Sequence, residues 1–170
     1  MTESPDLNAP AEGIEIFNVE AMPTLVHRAT DHPLDRMTEL FDGVFSAEFP
    51  ELLARVGATP GGPAFSLHHR IPTDSCDLEV GVPLQGRVSD RVTGSNGITL
   101  EPSETPAGRV ARTSYLGGYA GLGSAWQEFM TNLAEQGHRP AFPFWEVYVT
   151  QPTPDADPET MRTDLFTLLG

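Results

Sequence analysis

Hydrophobic positions along the chain change period in a regular order. Apolar residues from Ile14 to Arg28 follow extended spacing, broken at Pro23, and predict strand. Pro33, after Asp31 and His32, suits the first turn of a helix. Beyond it Leu34, Met37, Leu40, Phe41, Val44 and Phe45 trace one helical face. Pro50 disturbs this run, so the stretch to Val56 reads as a second short helix. Gly57 to Pro63 is a turn cluster, and Ala64 to Ile71 predicts strand. After the loop Pro72 to Ser75, Leu78, Val80, Val82 and Leu84 alternate as in a half-buried strand.

Gly86 to Gly97 is polar and reads as a link, after which the same order returns. Ile98 to Glu101 and Gly108 to Leu116 predict strand. Leu122, Trp126, Phe129, Met130 and Leu133 mark a helical stripe, closed by Gly137. Pro140 to Pro143 predicts a turn, Phe144 to Thr150 a strand, Pro152 to Pro158 an acidic loop, and Thr163 to Leu169 the last strand. The repeat has a residue echo: Pro63-Ala64-Phe65 matches Pro140-Ala141-Phe142, which sets Leu67 opposite Phe144 and His69 opposite Glu146. The expected fold class is α+β. It has two fused pseudo-twofold strand-helix-strand-strand units, about 13–86 and 98–170, with antiparallel sheets, helices on one face and a ligand cleft on the other. Residues 1–12, rich in Pro, Ala and acids, read as a disordered tail.

Charge narrows the partners. The chain has a formal net charge of −14, 24 acids against ten basic residues, and every one of those ten is arginine. Nucleic-acid binding needs clustered cations to displace counterions, so direct contact with DNA or RNA is not expected. A negative field favours cationic or neutral ligands. No apolar run reaches the roughly 20 residues of a membrane span. The N-terminus lacks the basic and apolar regions of a signal peptide, so a cytoplasmic location and no membrane contact are expected. The one cysteine, Cys76, excludes an internal disulfide and fits a reducing compartment.

The stretch Pro143-Phe144-Trp145-Glu146-Val147-Tyr148-Val149 carries the candidate chemistry. Strand alternation puts Phe144, Glu146 and Tyr148 on one face and Trp145, Val147 and Val149 on the other. The second set reads as the face a helix covers. The first sets a carboxylate between aromatics, where desolvation raises its pKa or leaves it waiting for a cation. Aromatic neighbours add cation–π attraction of roughly 0.5–2 kcal/mol each. An exposed glutamate on an edge strand fits the pattern equally well.

Three stretches bear a resemblance: Asp77-Leu78-Glu79-Val80-Gly81-Val82-Pro83; Pro106-Ala107-Gly108-Arg109-Val110-Ala111 with Gly118-Tyr119 following; and Trp145-Glu146-Val147-Tyr148. In order and spacing the chain, over about residues 12–170, resembles the GyrI-like effector-binding domain, found alone and behind the helix-turn-helix modules of multidrug-responsive regulators. The resemblance implies that Glu146 is a buried cleft glutamate receiving cationic lipophilic ligands. It sets Tyr119 and Tyr148 as cleft aromatics with Trp145 nearby, and Glu79 as a second acidic position. Where an aromatic Tyr is common in the family, this chain has His68. No DNA-binding module precedes the domain in this sequence, so regulation of transcription would pass through another chain.

The expected ligand-binding set is therefore Glu146, Tyr148, Trp145, Phe144, Tyr119, His69, Glu79 and Leu67, for a hydrophobic small molecule, cationic or planar aromatic, that is sensed or sequestered. Some proteins resembling the family are hydrolases that open cyclopropane rings of DNA-alkylating natural products. In that case Glu146 would be the catalytic base and Tyr119 would polarise the substrate carbonyl. A third class is an acidic protein partner that inhibits a DNA enzyme. No cofactor or metal is expected. His68 and His69 are adjacent on a strand and point to opposite faces, so they do not share one metal. Haem would need His69 as axial ligand. The glycine-rich run Gly117–Gly123 lacks the ending of a phosphate loop, and Ser114 and Ser124 lack a nucleophile-elbow frame.

Overall fold

The structure, a computed structural model, describes residues 7, 9–150, 157 and 160–170. Among them are nine strands: β1 Glu15–Val19, β2 Pro23–Pro33, β3 Phe65–His68, β4 Ser75–Pro83, β5 Val92–Thr93, β6 Thr99–Glu104, β7 Gly108–Leu116, β8 Pro140–Tyr148 and β9 Arg162–Leu169. Three α-helices accompany them: α1 Met37–Val44, α2 Phe49–Arg55 and α3 Leu122–Glu135. The fold is α+β and its strand pairs are antiparallel. No helix among the described residues is long and apolar enough to cross a membrane. The acidic loop read at Pro152–Pro158 lies almost wholly outside the described residues.

The chain divides into two compact units, Ala21–Thr105 and the residues up to Glu20 together with Pro106–Gly170. In the first, the strands run in the order β3-β4-β2-β6-β5. Leu78, Val80, Val82 and Leu25 pack against Leu40, Val44, Leu52 and Leu53 of α1 and α2. In the second, the order is β1-β7-β9-β8, and Ala111 and Leu165 pack against Phe129 and Leu133 of α3. Each unit thus holds the same strand-helix-strand-strand pattern, β2-α1-α2-β3-β4 and β7-α3-β8-β9.

The boundaries differ from the expected halves. β1, read as the start of the first half, pairs with β7; β6, read as the start of the second, pairs with β2. The segment Gly86–Gly97, read as a link, holds β5. Hydrogen bonding to a sheet edge decides membership here, and edge pairing leaves little trace in sequence periodicity. Pro33 ends β2 and precedes a 3₁₀ turn, Leu34–Arg36, so α1 starts at Met37. Pro140–Pro143, read as a turn, opens β8, whose pairing with β9 shifts register between Ala141 and Phe144.

Part of the stretch read as a tail is tethered. Arg112, fully buried, and Arg162 each donate through Nη2 to the carbonyls of Leu7 and Ala9, and Ser114 Oγ accepts from the Ala11 amide. Both guanidiniums also donate to Asp164, at 2.9 and 2.8 Å. Burial alone would raise the Asp164 pKa, but hydrogen bonds from Arg162, Ser114 and Arg112 outweigh it and hold the carboxyl below its ordinary value. Sequence reading missed this network, because single arginines on strands give no sign of sharing one aspartate.

Candidate functional site

Glu146 sits in β8 opposite Leu165 of β9. Leu165 belongs to the cluster under α3, so Glu146 and its face-mates Phe144 and Tyr148 turn toward the helix. Trp145 takes the other face, stacked on Phe166 at 5.2 Å with planes 3° apart, and Phe17 meets Phe166 edge-on. The expectation had these faces reversed. The reason is Trp126, on the apolar stripe of α3. An indole packed under a helix needs an acceptor for its N–H, and the acceptor is Glu146.

The Trp126 Nε1 donates to Glu146 Oε2 at 2.9 Å, and the Tyr148 hydroxyl donates to Oε1 at 2.9 Å. Phe144 meets the Trp126 ring at 4.9 Å, and Tyr119 meets Tyr148 edge-on at 5.8 Å. Glu146 keeps some accessible surface, yet protein atoms crowd its carboxylate. Desolvation raises its pKa, and the bonds from Trp126 and Tyr148 only partly offset it. Both donors are neutral, and among the described residues Glu146 has no ion pair. Burial, and then the Glu146 charge, push the Tyr119 phenol above its ordinary value.

Four expected residues thus come together: Glu146, Tyr148, Phe144 and Tyr119. Trp126 joins them. Sequence reading had placed it only in the helical stripe, though the polar end of an indole on a buried stripe was a usable signal. Trp145 is adjacent in sequence but faces away.

The remaining three expected residues cluster in the other unit. Glu79 of β4 is 5% exposed and lies opposite Leu67 of β3 and Arg28 of β2. It accepts from Ser103 Oγ at 2.6 Å and bonds His69 Nε2 at 2.6 Å. His69 therefore shares the Glu79 face, turned away from the α1 and α2 side. The residue echo that set His69 against Glu146 is off because β8 is irregular between Ala141 and Phe144. His68 occupies the helix-facing position of β3. Burial, with a smaller push from His69, lowers its pKa to about 4. A hollow of about 220 Å³ lies beside His69, Glu79 and Arg28, and another of about 320 Å³ between α3 and Gly13–Ile14; Glu146 lines neither. No group of three or more ligating side chains for a metal is present among the described residues.

Comparison with known proteins agrees with this geometry at the level of fold. No family model matches the chain, and no curated protein matches it. Solved structures do. The crystal structure of the EcmrR C-terminal domain superposes with a TM-score of 0.67 at 14% identity, covering 92% of this chain and 96% of that one. This chain and the EcmrR C-terminal domain thus share one fold over nearly their whole length. In the EcmrR–DNA complex the TM-score is 0.73 at 14% identity, and this chain spans only 56% of that chain. SAV2435 bound to tetraphenylphosphonium matches at 0.61 and 10% identity, covering 92% of this chain and 93% of that one. A hydrolase from Listeria innocua matches at 0.62 and 16% identity, covering 95% and 94%.

Proposed function

We propose that this chain binds a hydrophobic cationic small molecule through Glu146, acting as a sensor or sequestering protein in the cytoplasm. One observation carries the reading: a crowded carboxylate held by two neutral donors, Trp126 and Tyr148, with Phe144 and Tyr119 around it. A carboxylate so placed is desolvated without a fixed cation, and a lipophilic cation supplies the missing charge while its apolar groups meet the rings. Binding requires Trp126 or Tyr148 to give up its place on the carboxylate. The structure of SAV2435 bound to tetraphenylphosphonium, which is similar in fold, supports the ligand class.

The test is a fluorescence titration with tetraphenylphosphonium. Trp126 is the built-in reporter, because its N–H bond to Glu146 changes on binding. Saturable binding is expected, weakened about tenfold or more in Glu146→Gln, which corresponds to about 1.4 kcal/mol. No saturation, or equal affinity in the variant, refutes the reading.

The phenol of Tyr148 on Glu146, with Tyr119 against it, also suits a hydrolytic role. There Glu146 would take a proton from water and a tyrosine hydroxyl would polarise the substrate. Mass spectrometry of a cyclopropane-bearing alkylating agent after incubation separates the two: a gain of water marks turnover, and unchanged substrate leaves binding alone.

A further inference from the structure

A chemically different arrangement lies in the Ala21–Thr105 unit. Its centre is the Glu79 carboxylate, nearly sealed from solvent at 5% exposure. One oxygen accepts from Ser103 Oγ, whose own oxygen accepts from Arg28 Nη2 at 3.2 Å. The other oxygen is 2.6 Å from His69 Nε2. An ionised carboxylate only accepts hydrogen bonds, so Nε2 carries the proton toward Glu79 and Nδ1 is the ring nitrogen left for another partner. His69 is half-exposed and lines the hollow of about 220 Å³, with Arg28 on the same hollow. Arg28 and Glu79 are direct cross-strand neighbours. A simple ion pair would serve as well with lysine or arginine. Only an imidazole leaves a basic nitrogen open after its bond to the carboxylate is made.

We propose that His69, oriented by Glu79, is a general base for hydrolysis of small carboxylic esters bound in this hollow. A water gives a proton to His69 Nδ1 as its oxygen bonds to the ester carbonyl carbon. The carbonyl π pair moves to oxygen, and the Arg28 guanidinium on the same hollow, paired through Nε with Glu101 at 3.0 Å, supplies the positive charge nearby. The intermediate collapses, the bond to the leaving oxygen breaks, and that oxygen takes the proton back from the imidazolium. Acid and alcohol leave, and the dyad returns to its starting state. Glu79 touches no substrate. It is a positioning residue that fixes the tautomer and supports the imidazolium. Ser103 ties Glu79 to Arg28 and holds the geometry. None of these groups belongs to the Glu146 site, so the two readings stand or fall separately.

The experiment uses the full chain and p-nitrophenyl acetate. Saturable hydrolysis is expected. His69→Gln should return the rate to background, and His138→Gln, on a half-buried histidine of the other unit, should leave it unchanged. Glu79→Gln should lower kcat at least tenfold with little change in KM. Ser103→Ala should lower it a few-fold and serves if Glu79→Gln folds poorly. Nitrogen-15 NMR of the imidazoles should show His69 protonated on Nε2 and bare on Nδ1 at neutral pH. A wild-type rate at the level of free imidazole, full activity in His69→Gln, or the opposite tautomer overturns the proposal.

Discussion

Two desolvated titratable side chains give this protein opposing responses to acid. Glu146 has a raised pKa, from an ordinary value of 4.5, because its ionised form is desolvated. Above the unfolded value the unfolded chain gives up this proton more readily than the folded one. Stability is therefore fullest below that value and is lost as pH rises toward the folded pKa. Glu146→Gln should accordingly raise the melting temperature at pH 7, with the gain fading by about pH 4. A variant that melts lower than wild type at pH 7 would show that the carboxylate charge is well paired. His68 acts in the other sense. Its pKa falls from 6.5 to about 4 through burial, so the stability tied to its neutral form is present above 6.5 and lost as pH falls toward 4. The displacement corresponds to about 3.5 kcal/mol at roughly 1.4 kcal/mol per unit. Urea unfolding of His68→Gln across this range should show that much less acid sensitivity than wild type. Equal pH slopes would mean that the ring is solvated.

The elements that carry the site show how far the sequence could be read. The helical stripe of α3, the alternation of β4 and the Phe144–Tyr148 strand were all legible, because burial of one face imposes a period. The face of β8 was not, since Phe144, Glu146 and Tyr148 are no less apolar as a set than a core face is when a tryptophan supplies a donor. The register of β8 was hidden too, because an irregularity between Ala141 and Phe144 is set by pairing with β9 and not by composition. The glycine-rich run Gly117–Gly123, which lacks the ending of a phosphate loop, forms a tight 3₁₀ turn before α3, and the structure shows its partner. Tyr115 donates its hydroxyl hydrogen to the Gly118 carbonyl at 2.8 Å, and Gly117, at φ +148°, and Gly121 close around the phenol. A Cβ on Gly121 would overlap the Tyr115 hydroxyl. The 3₁₀ turn Tyr119–Gly121 is thus fixed against β7, which places Tyr119 at Tyr148. Gly121→Ala should cost about 1–3 kcal/mol through overpacking. Adding Tyr115→Phe, which by itself loses roughly 1 kcal/mol of hydrogen bonding, should recover part of that cost. Strict additivity of the two changes in urea unfolding would show that the hydroxyl and the glycine do not meet.

At the scale of the whole molecule, the excess of acids was plain from the sequence, but which acids matter was not. Of 24 acidic residues, Glu79 and Asp164 are buried and hydrogen-bonded and Glu146 is crowded by aromatics, whereas Glu51 and Glu104 are among those at the surface. The two populations should act on a bound cation in different ways. The net charge of −14 attracts a cation over distance, and salt screens that attraction, since the Debye length shrinks from roughly 10 Å at 0.1 M to 3 Å at 1 M. A carboxylate in contact with the ligand and shielded by Trp126, Phe144 and Tyr148 has no room for screening ions between. Tetraphenylphosphonium affinity measured from 0.05 to 0.5 M salt should therefore fall a few-fold, and with the same slope in wild type and Glu146→Gln. The gap of about tenfold between the two lines, roughly 1.4 kcal/mol, should persist at every salt concentration. If the lines converge at high salt, Glu146 acts as one more surface charge. A gap that survives 0.5 M salt requires contact between the cation and a desolvated carboxylate, which distant attraction cannot imitate.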